Sequence, residues 1–534
     1  MRRLPGRRRE AVLMGRSVNA PEVATAAAPV EIEIKLALSP RLMPRFRRHP
    51  LLRQAARSRA KLYTLYVDTP DAALLRQGIA LRLRRSGRRW LQTLKAGAGS
   101  GGLLAERPEW EMPVSGKRLK LDLLPAEARS LLPPEAAASL APCFETEVWR
   151  DTWQLNHEGA LIEVALDRGE VRAGARVCPI AEVELELRSG DLPPLFDIAE
   201  RLAADLPFQL EPRSKAQRGY QLVGALPCTP VKASPPLLLL DAPASVSFQH
   251  IVRSCLRQFE ANLPGLLSTS DPDPEFIHQM RVALRRMRAA IGLLRFMGYT
   301  KPDWLGELKW LMGELSVARD WDVLATETLP RIQAHLPQPE RLAVLLEAAE
   351  AQRRAANDRA RAAVTSPRLV PLWLKVEREL ALLPVSPATT ADWSRAALRR
   401  RRRQLVRLGE RLHELDATER HAMRIAAKKL RYSAEFFAVW HPKAARRFIR
   451  HLADLQDVLG VLNDAAVTAR LLSELAPAGE AASREAVGLV MGFLACEQAY
   501  RLARLEQLWR EFHDIPPYWK KGKPPLPADV HAEG

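Results

Sequence analysis

The sequence predicts an α+β chain of two unlike units, an antiparallel β-rich unit followed by a long all-α unit, and three observations predict it. From Glu31 to about Arg188, short alternating segments such as EIEIKLAL, LYTLYVDT, IALRLRRS, WLQTLKAG and EVELELRSG are separated by Gly and Pro clusters, which is the pattern of strands and turns. Past a Pro-rich stretch from Pro227 to Pro243, helical periodicity in Leu, Ala and Arg runs to about Phe512. Within that second half one basic pattern occurs twice. The divisions that follow are a disordered leader over residues 1–27, a β unit over 28–222, a Pro-rich linker over 223–244, a helical unit over 245–512 and a disordered tail over 513–534. The leader is Arg-rich, then Ala/Pro-rich without periodicity, and leaves Met14 open as the true start.

Composition bounds the function. A chain of 534 residues can bury more than one core, and 47% hydrophobic with 27% charged residues is ordinary for a globular protein. The longest apolar candidate, Val487 to Cys496, is far short of the roughly 18 residues a membrane span needs, so it reads as a buried helix. The basic start MRRLPGRRRE is followed only by Ala11 to Met14, too short for the apolar core of a secretory signal, and a cytoplasmic address is expected. Cys143, Cys178, Cys228, Cys255 and Cys496 stand singly, without zinc-site spacing or disulfide density. A net charge of +19 attracts polyanions without choosing among nucleic acid, anionic lipid, nucleotide and polyphosphate.

The strands carry the chemistry. In EIEIK the charges Glu31, Glu33 and Lys35 alternate with Ile32, Ile34 and Leu36, so all three project from one face. The same alternation groups Arg82 with Arg84, Glu109 with Glu111, Glu163 with Asp167, and Glu182, Glu184 and Glu186. A solvated face explains any one such strand. Sign segregation across strands argues otherwise, because a solvated face mixes Lys with Glu. Closed into a barrel of about eight strands with these faces inward, the sheet would enclose a charged lumen. Carboxylates of this kind suit Mg²⁺ or Mn²⁺, and the basic set suits phosphate oxygens, so together they fit a metal-bound polyphosphate.

These residues resemble the CYTH domain of the triphosphate tunnel metalloenzymes over roughly residues 28–222. The Glu-x-Glu-x-Lys signature is present as Glu31, Glu33 and Lys35, and the Tyr-x-Asp-Thr segment as Tyr66, Asp68 and Thr69. Arg82 and Arg84, then Lys95, then Arg107, Glu109 and Glu111 follow in order, as do Arg150 with Trp153, Glu163 with Asp167, the EVELE strand, and Ser214, Lys215, Arg218, Gly219 and Tyr220. The resemblance implies a tunnel barrel in which Lys35, Arg82, Arg84, Lys95, Arg150, Lys215 and Arg218 bind substrate phosphates. It implies that Glu31, Glu33, Glu182, Glu184 and Glu186 hold metal, and that catalysis falls to Glu31, Glu33, Lys35, Glu163 and Asp167. Glu109 and Glu111 are further tunnel acids, and the division of these acids between metal binding and water activation stays open.

The helical half repeats itself. His278, Arg281, Arg285 and Arg288 recur as His421, Arg424, Lys428 and Arg431, with offsets of three, four and three that place each set on one helix face. Each is followed by an acidic turn, Arg319–Asp320 and Asn463–Asp464. Residues 391–432 carry thirteen Lys or Arg against five Asp or Glu. The pattern resembles the CHAD domain over roughly 245–512, which implies binding of inorganic polyphosphate by the two stripes. The absence of interleaved aromatics on them disfavours single-stranded nucleic acid.

The expected function is a metal-dependent inorganic triphosphatase that cuts tripolyphosphate to pyrophosphate and phosphate, with an accessory unit binding inorganic polyphosphate, in the cytoplasm or at polyphosphate granules. No membrane partner is expected. The alternatives are a granule-associated binding protein with little catalysis, or a nucleoside or thiamine triphosphatase or adenylyl cyclase of the same superfamily.

Overall fold

The computed structural model describes residues 30–97, 102–475 and 481–520; the expected leader over 1–27 lies outside the described residues. The alternating segments form eight long strands, β1 (Val30–Ala37), β2 (Arg57–Asp68), β3 (Ala80–Ser86), β4 (Arg89–Lys95), β5 (Leu104–Val114), β6 (Ala141–His157), β7 (Ala160–Ala173) and β8 (Arg176–Ser189). They pair antiparallel in the order β5-β4-β3-β2-β6-β7-β8-β1, and β1 pairs back onto β5, so the sheet closes into an eight-stranded barrel. Closure removes both sheet edges. A two-residue strand, Gln209–Leu210, adds to the end of β1.

Register decides what each strand presents to the lumen. Glu33 lies opposite Glu186 and Lys35 opposite Glu184 on the β1–β8 ladder. Arg82 and Arg84 face Tyr66 and Thr64 on β2, and Lys95 faces Glu109 on β5. With a side-chain period of two, the charged set of every strand turns inward and the intervening Ile34, Leu36, Val164, Leu166, Val183 and Leu185, each at most 2% exposed, turn outward. That outer apolar face is covered by α1 (Pro193–Asp205), which packs on β7 and β8.

One end of the barrel is filled from within. Helix α2 (Lys215–Val223) starts at Ser214, whose hydroxyl caps the Gln217 N–H at 3.1 Å while the Gln217 side chain returns to the Ser214 N–H at 2.8 Å. Its Ala216 and Tyr220 pack against Leu62, Tyr66, Phe144, Val148 and Ile180. Gly219 touches the Phe144 ring so closely that a Cβ there would lie 2.1 Å from ring carbons, so only glycine lets the helix seat. Asp68 of the Tyr-x-Asp-Thr segment belongs to this end. It is 2% exposed and accepts hydrogen bonds from the N–H groups of Thr69, Leu74 and Leu75 and from the Tyr220 hydroxyl at 2.7 Å. Its carboxylate is fully used in holding the turn after β2 onto the plug.

The helical unit comprises α3 (Ala244–Ser268), α4 (Pro274–Ile291), α5 (Leu305–Asp322), α6 (Ala343–Val364), α7 (Leu369–Ala381), α8 (Thr390–Gly409), α9 (Ala417–Phe436), α10 (Pro442–Leu475), α11 (Ala481–Leu502) and α12 (Leu505–His513). The two helices that bear the repeated stripe begin with sequence-readable caps. Asp273 accepts the Glu275 N–H at 2.8 Å ahead of Pro274, and Asp416 forms a capping box with Glu419.

Two expectations about the ends of this unit change. The stretch 223–244 is not a free spacer: α2 runs through Val223, the Val231 N–H and carbonyl pair with the Asn262 side chain at 2.9 Å each, and Leu238 is buried. The expected tail from 513 is folded as far as Lys520. Tyr518 and Trp519 are 2% and 6% exposed, and the Tyr518 hydroxyl donates to the Ala434 carbonyl at 2.8 Å. The Pro pair before them suggested disorder, but the two rings bury enough apolar surface to order the segment. Residues 521–534 lie outside the described residues. The two units touch directly: Arg378 of α7 bonds Asp197 at 2.5 Å and Glu200 at 3.0 Å on α1.

Candidate functional site

The open end of the barrel holds a cavity of about 420 Å³ whose wall is made almost entirely of charged side chains. Acids Glu31, Glu33, Glu109, Glu111, Glu184 and Glu186 and bases Lys35, Arg82, Arg84, Lys95, Arg107, Arg150, Arg188 and Lys215 line it, with Tyr66 and Ser214 at its floor. All but four of the tunnel residues expected from sequence therefore converge on one space. Glu163, Asp167, Glu182 and Arg218 do not line it. Glu163 sits at the rim, bonded by Gln154 at 2.5 Å and Arg188 at 2.7 Å. Asp167 and Glu182, 0% and 1% exposed, lie beneath the floor with Arg218, which pairs with Glu182.

That floor is a dense ion cluster. Arg150 grips Asp167 with two hydrogen bonds, 2.8 and 2.6 Å, and reaches Glu184 as well. Lys215 bonds Asp167 at 2.8 Å, Glu184 at 2.6 Å and also Glu182. Burial opposes ionisation of Glu184, yet Lys215 and Arg150 together hold its carboxyl well below the usual range. Higher in the wall, Lys95 bonds Glu31 at 2.5 Å and Glu109 at 3.0 Å, and Arg82 bonds Glu109 at 3.2 Å. Arg107 bridges Glu31 at 3.1 Å and Glu33. Against the effect of burial, Lys95 and Arg107 hold Glu31 down to about 2.

Two parts of the wall are not balanced. Arg84 makes no ion pair with any described residue, and its Nε is buried without a hydrogen-bond partner. Burial, with Arg82 and Arg150 nearby, pushes its guanidinium down to about 10. On the opposite side, burial raises Glu33, and burial with the neighbouring Glu31 and Glu163 pushes Glu186 up to about 7 despite Arg188. Arg84 thus lacks an anion, while burial draws Glu33 and Glu186 toward protonation even though Arg107 and Arg188 pair with them.

The donor set that faces the cavity fits a hard divalent cation. Glu31, Glu33, Glu184 and Glu186 offer carboxylate oxygen only, and burial holds two of them, Glu33 and Glu186, toward protonation. Asp167, Glu182 and Glu184 also bring carboxylate oxygens within 4.8 Å of one another. Asp167 and Glu182 are already neutralised by Arg150, Lys215 and Arg218.

Sequence reasoning set Arg107 within the strand motif but left it out of the basic set, and it missed Arg188 altogether. Both were readable. Arg107 precedes Glu109 and Glu111 at a spacing of two, and Arg188 follows Glu186 in the same way, so each shares the inward face of its strand.

In the helical unit α4 and α9 pack together and bring the two stripes side by side. Arg281 lies 3.6 Å from Asp320 and Arg424 lies 3.7 Å from Asp464, the same relation in both repeats. The side chain of Asn463, expected beside Asp464, lies outside the described residues. Arg285 and Lys428 have no acidic partner among the described residues. Burial, then Arg424 and Arg285, pushes Lys428 down to about 7, and burial, then Arg285, pushes Arg281 down to about 10. Burial and Arg319 lower His278. His421 and Arg288 are exposed at the margins, and Arg431 lies 3.5 Å from Glu435, so the concentrated charge is Arg281, Arg285, Arg424 and Lys428.

The class these features define is a closed antiparallel barrel with a doubly charged lumen, joined to a duplicated helical bundle with a basic seam. Residues 30–220 match the CYTH domain and residues 250–473 the CHAD domain, and the chain belongs to the proteins in which the one precedes the other. The inorganic triphosphatase of Haemophilus influenzae is 34% identical over 199 residues, covering 36% of this chain and 54% of the relative, so this chain spans about half the length of that curated relative. The CHAD domain of the plant Ricinus communis is 36% identical, covering 54% of this chain and 98% of that one at a TM-score of 0.47. PptA from Streptomyces chartreusis is 18% identical, covering 50% of this chain and 100% of that one at a TM-score of 0.40. No described helix is long and apolar enough to cross a membrane.

Proposed function

We propose that the chain is a metal-dependent inorganic triphosphatase that hydrolyses tripolyphosphate to pyrophosphate and phosphate, and that its helical unit holds inorganic polyphosphate. The observation that carries the first part is the half-buried Arg84, without an ion pair among the described residues, across the lumen from Glu33 and Glu186, whose carboxyls burial draws toward protonation. A cavity with an unpaired cation on one side and two carboxyls drawn toward protonation on the other suits a phosphate chain with its divalent ion. Arg82, Arg84, Lys35, Lys95, Arg150 and Lys215 bind phosphate oxygens, with Arg107 bridging Glu31 and Glu33 beside them. Glu31, Glu33, Glu184 and Glu186 would hold Mg²⁺ or Mn²⁺, whose charge would offset the charge building on the phosphoryl oxygens. Glu109 fixes Arg82 and Lys95, and from below Asp167 fixes Arg150 and Lys215 while Glu182, itself held by Arg218, fixes Lys215. Phosphoryl transfer needs positioning and charge neutralisation more than a covalent nucleophile, and this lumen supplies both.

The substrate follows from what the lumen lacks. Its wall offers charge almost everywhere, with Tyr66 as its aromatic member, which suits phosphate without a base attached. The test is turnover of tripolyphosphate, ATP and thiamine triphosphate with Mg²⁺ and Mn²⁺. Preference for tripolyphosphate supports the reading, and preference for either organic triphosphate moves the assignment to that substrate.

For the second part, four cations from two repeats share one seam, with Asp320 and Asp464 as the acids paired with them among the described residues. A polyanion laid along it gains affinity by counterion release.

A further inference from the structure

The helical unit reaches the barrel at the seam where the barrel closes. Glu260 of α3 is 3% exposed, and its carboxyl accepts the Leu103 N–H at 3.3 Å, one residue before β5 begins. The Leu103 carbonyl in turn accepts the backbone N–H of Lys35 in β1 at 3.0 Å. Leu103 is therefore held on one side by the helical unit and holds on the other the strand that carries Glu31, Glu33 and Lys35. Next to it Gly102 approaches so closely that a Cβ would lie 2.9 Å from the Glu260 Oε2. Arg253, two turns earlier on α3, spans from Glu377 of α7 at 3.1 Å to Glu106 of β5 at 3.4 Å.

From this point β5 pairs with β1 residue by residue, Leu104 with Ile34, Ala105 with Glu33 and Arg107 with Glu31. A slip of one residue would turn Arg107, Glu109 and Glu111 out of the lumen. We propose that Glu260 is a positioning residue through which the helical unit holds β5 in register on β1, and so sets the lumenal geometry. The proposal rests on the reading of the lumen as the triphosphate site. It also ties that site to the basic seam, because α3 is bonded to α4 two residues away: Gln258 donates to Gln279 at 2.9 Å and accepts from Arg286 at 2.8 Å.

Burial and the neighbouring Glu377 push the Glu260 carboxyl up to about 8. Arg253 and Arg257 on its own helix, Glu377 on α7 and Glu106 on β5 are the charged groups that face it. A neutral Glu260 still offers a carbonyl oxygen to Leu103, which is what glutamine would offer.

The experiment uses the full chain with Glu260→Ala and Glu260→Gln, and reads KM and kcat for tripolyphosphate together with hydrogen exchange over residues 102–108 and 30–37. Glu260→Ala is expected to raise KM about tenfold through misplaced ligands and to speed exchange in both segments. Glu260→Gln is expected to restore both. An alanine variant with unchanged KM and unchanged exchange overturns the proposal, as does one that merely yields less folded protein, with kcat down, KM unchanged and no rescue by glutamine. If the wild-type chain turns over no tripolyphosphate the reading of the lumen fails by itself, and the exchange comparison still decides whether Glu260 holds β5.

Discussion

Arg84→Met separates stability from function at one position. The guanidinium is charged in the unfolded chain and has no ion-pair partner among the described residues of the folded one, where burial drops it from the usual arginine range to about 10. At roughly 1.4 kcal/mol per pH unit the charge costs the folded state on the order of 3 kcal/mol, and less to the extent that cavity water screens it. Methionine keeps most of the side-chain volume and removes that cost. The same change deletes two charge-assisted hydrogen bonds to phosphate, about 1.5 kcal/mol or more each, or roughly a hundredfold in kcat/KM. The assay pairs thermal melting of the full chain without substrate with kcat/KM for tripolyphosphate. The expected result is a melting temperature that rises or holds while kcat/KM falls about a hundredfold. A variant that melts lower and keeps its kcat/KM would show that Arg84 is a structural cation and refute the reasoning.

Other outcomes follow from named contacts. Gly219→Ala drives a methyl group into the Phe144 ring, and should destabilise the barrel by about 3 kcal/mol, read as a lower denaturation midpoint. Lys428 is depressed to about 7, so in the free protein it loses its charge above that pH. A polyanion favours the protonated form, and polyphosphate affinity should be constant below about pH 7, fall above it, and lose that dependence in Lys428→Arg. Changing Arg281, Arg285, Arg424 and Lys428 together to Ala should weaken polyphosphate binding and flatten its salt dependence while leaving tripolyphosphate turnover intact. Titration calorimetry across a salt series reads the first effect and phosphate release the second.

Much of this architecture was legible because strands and helices write their faces into sequence at fixed periods. Glu31, Glu33 and Lys35 announce an inward face by alternation alone, and the offset of three, four and three announces the two basic stripes. Depth along a strand is not written. Glu182, Glu184 and Glu186 look equivalent in EVELE, yet only register against β1 and the seating of α2 put Glu182 beneath the floor and the other two on the wall. Asp68 shows the same limit: a signature carboxylate is spent on three backbone N–H groups and a tyrosine, a role that requires the turn and the plug helix to be in place. Tyr518 and Trp519 were missed because proline-rich composition masked two anchoring rings. Glu260 was not visible at all, since its partner is a backbone N–H 157 residues away.

The most direct test of the account is phosphate release from tripolyphosphate by the full chain, measured with Mg²⁺ or Mn²⁺ and again after chelation, alongside Glu31→Gln and Glu33→Gln. Turnover that needs the divalent ion, and that is lost in both variants without a change in melting behaviour, is the predicted result. Turnover that survives chelation, or that either variant retains at the wild-type rate, contradicts it.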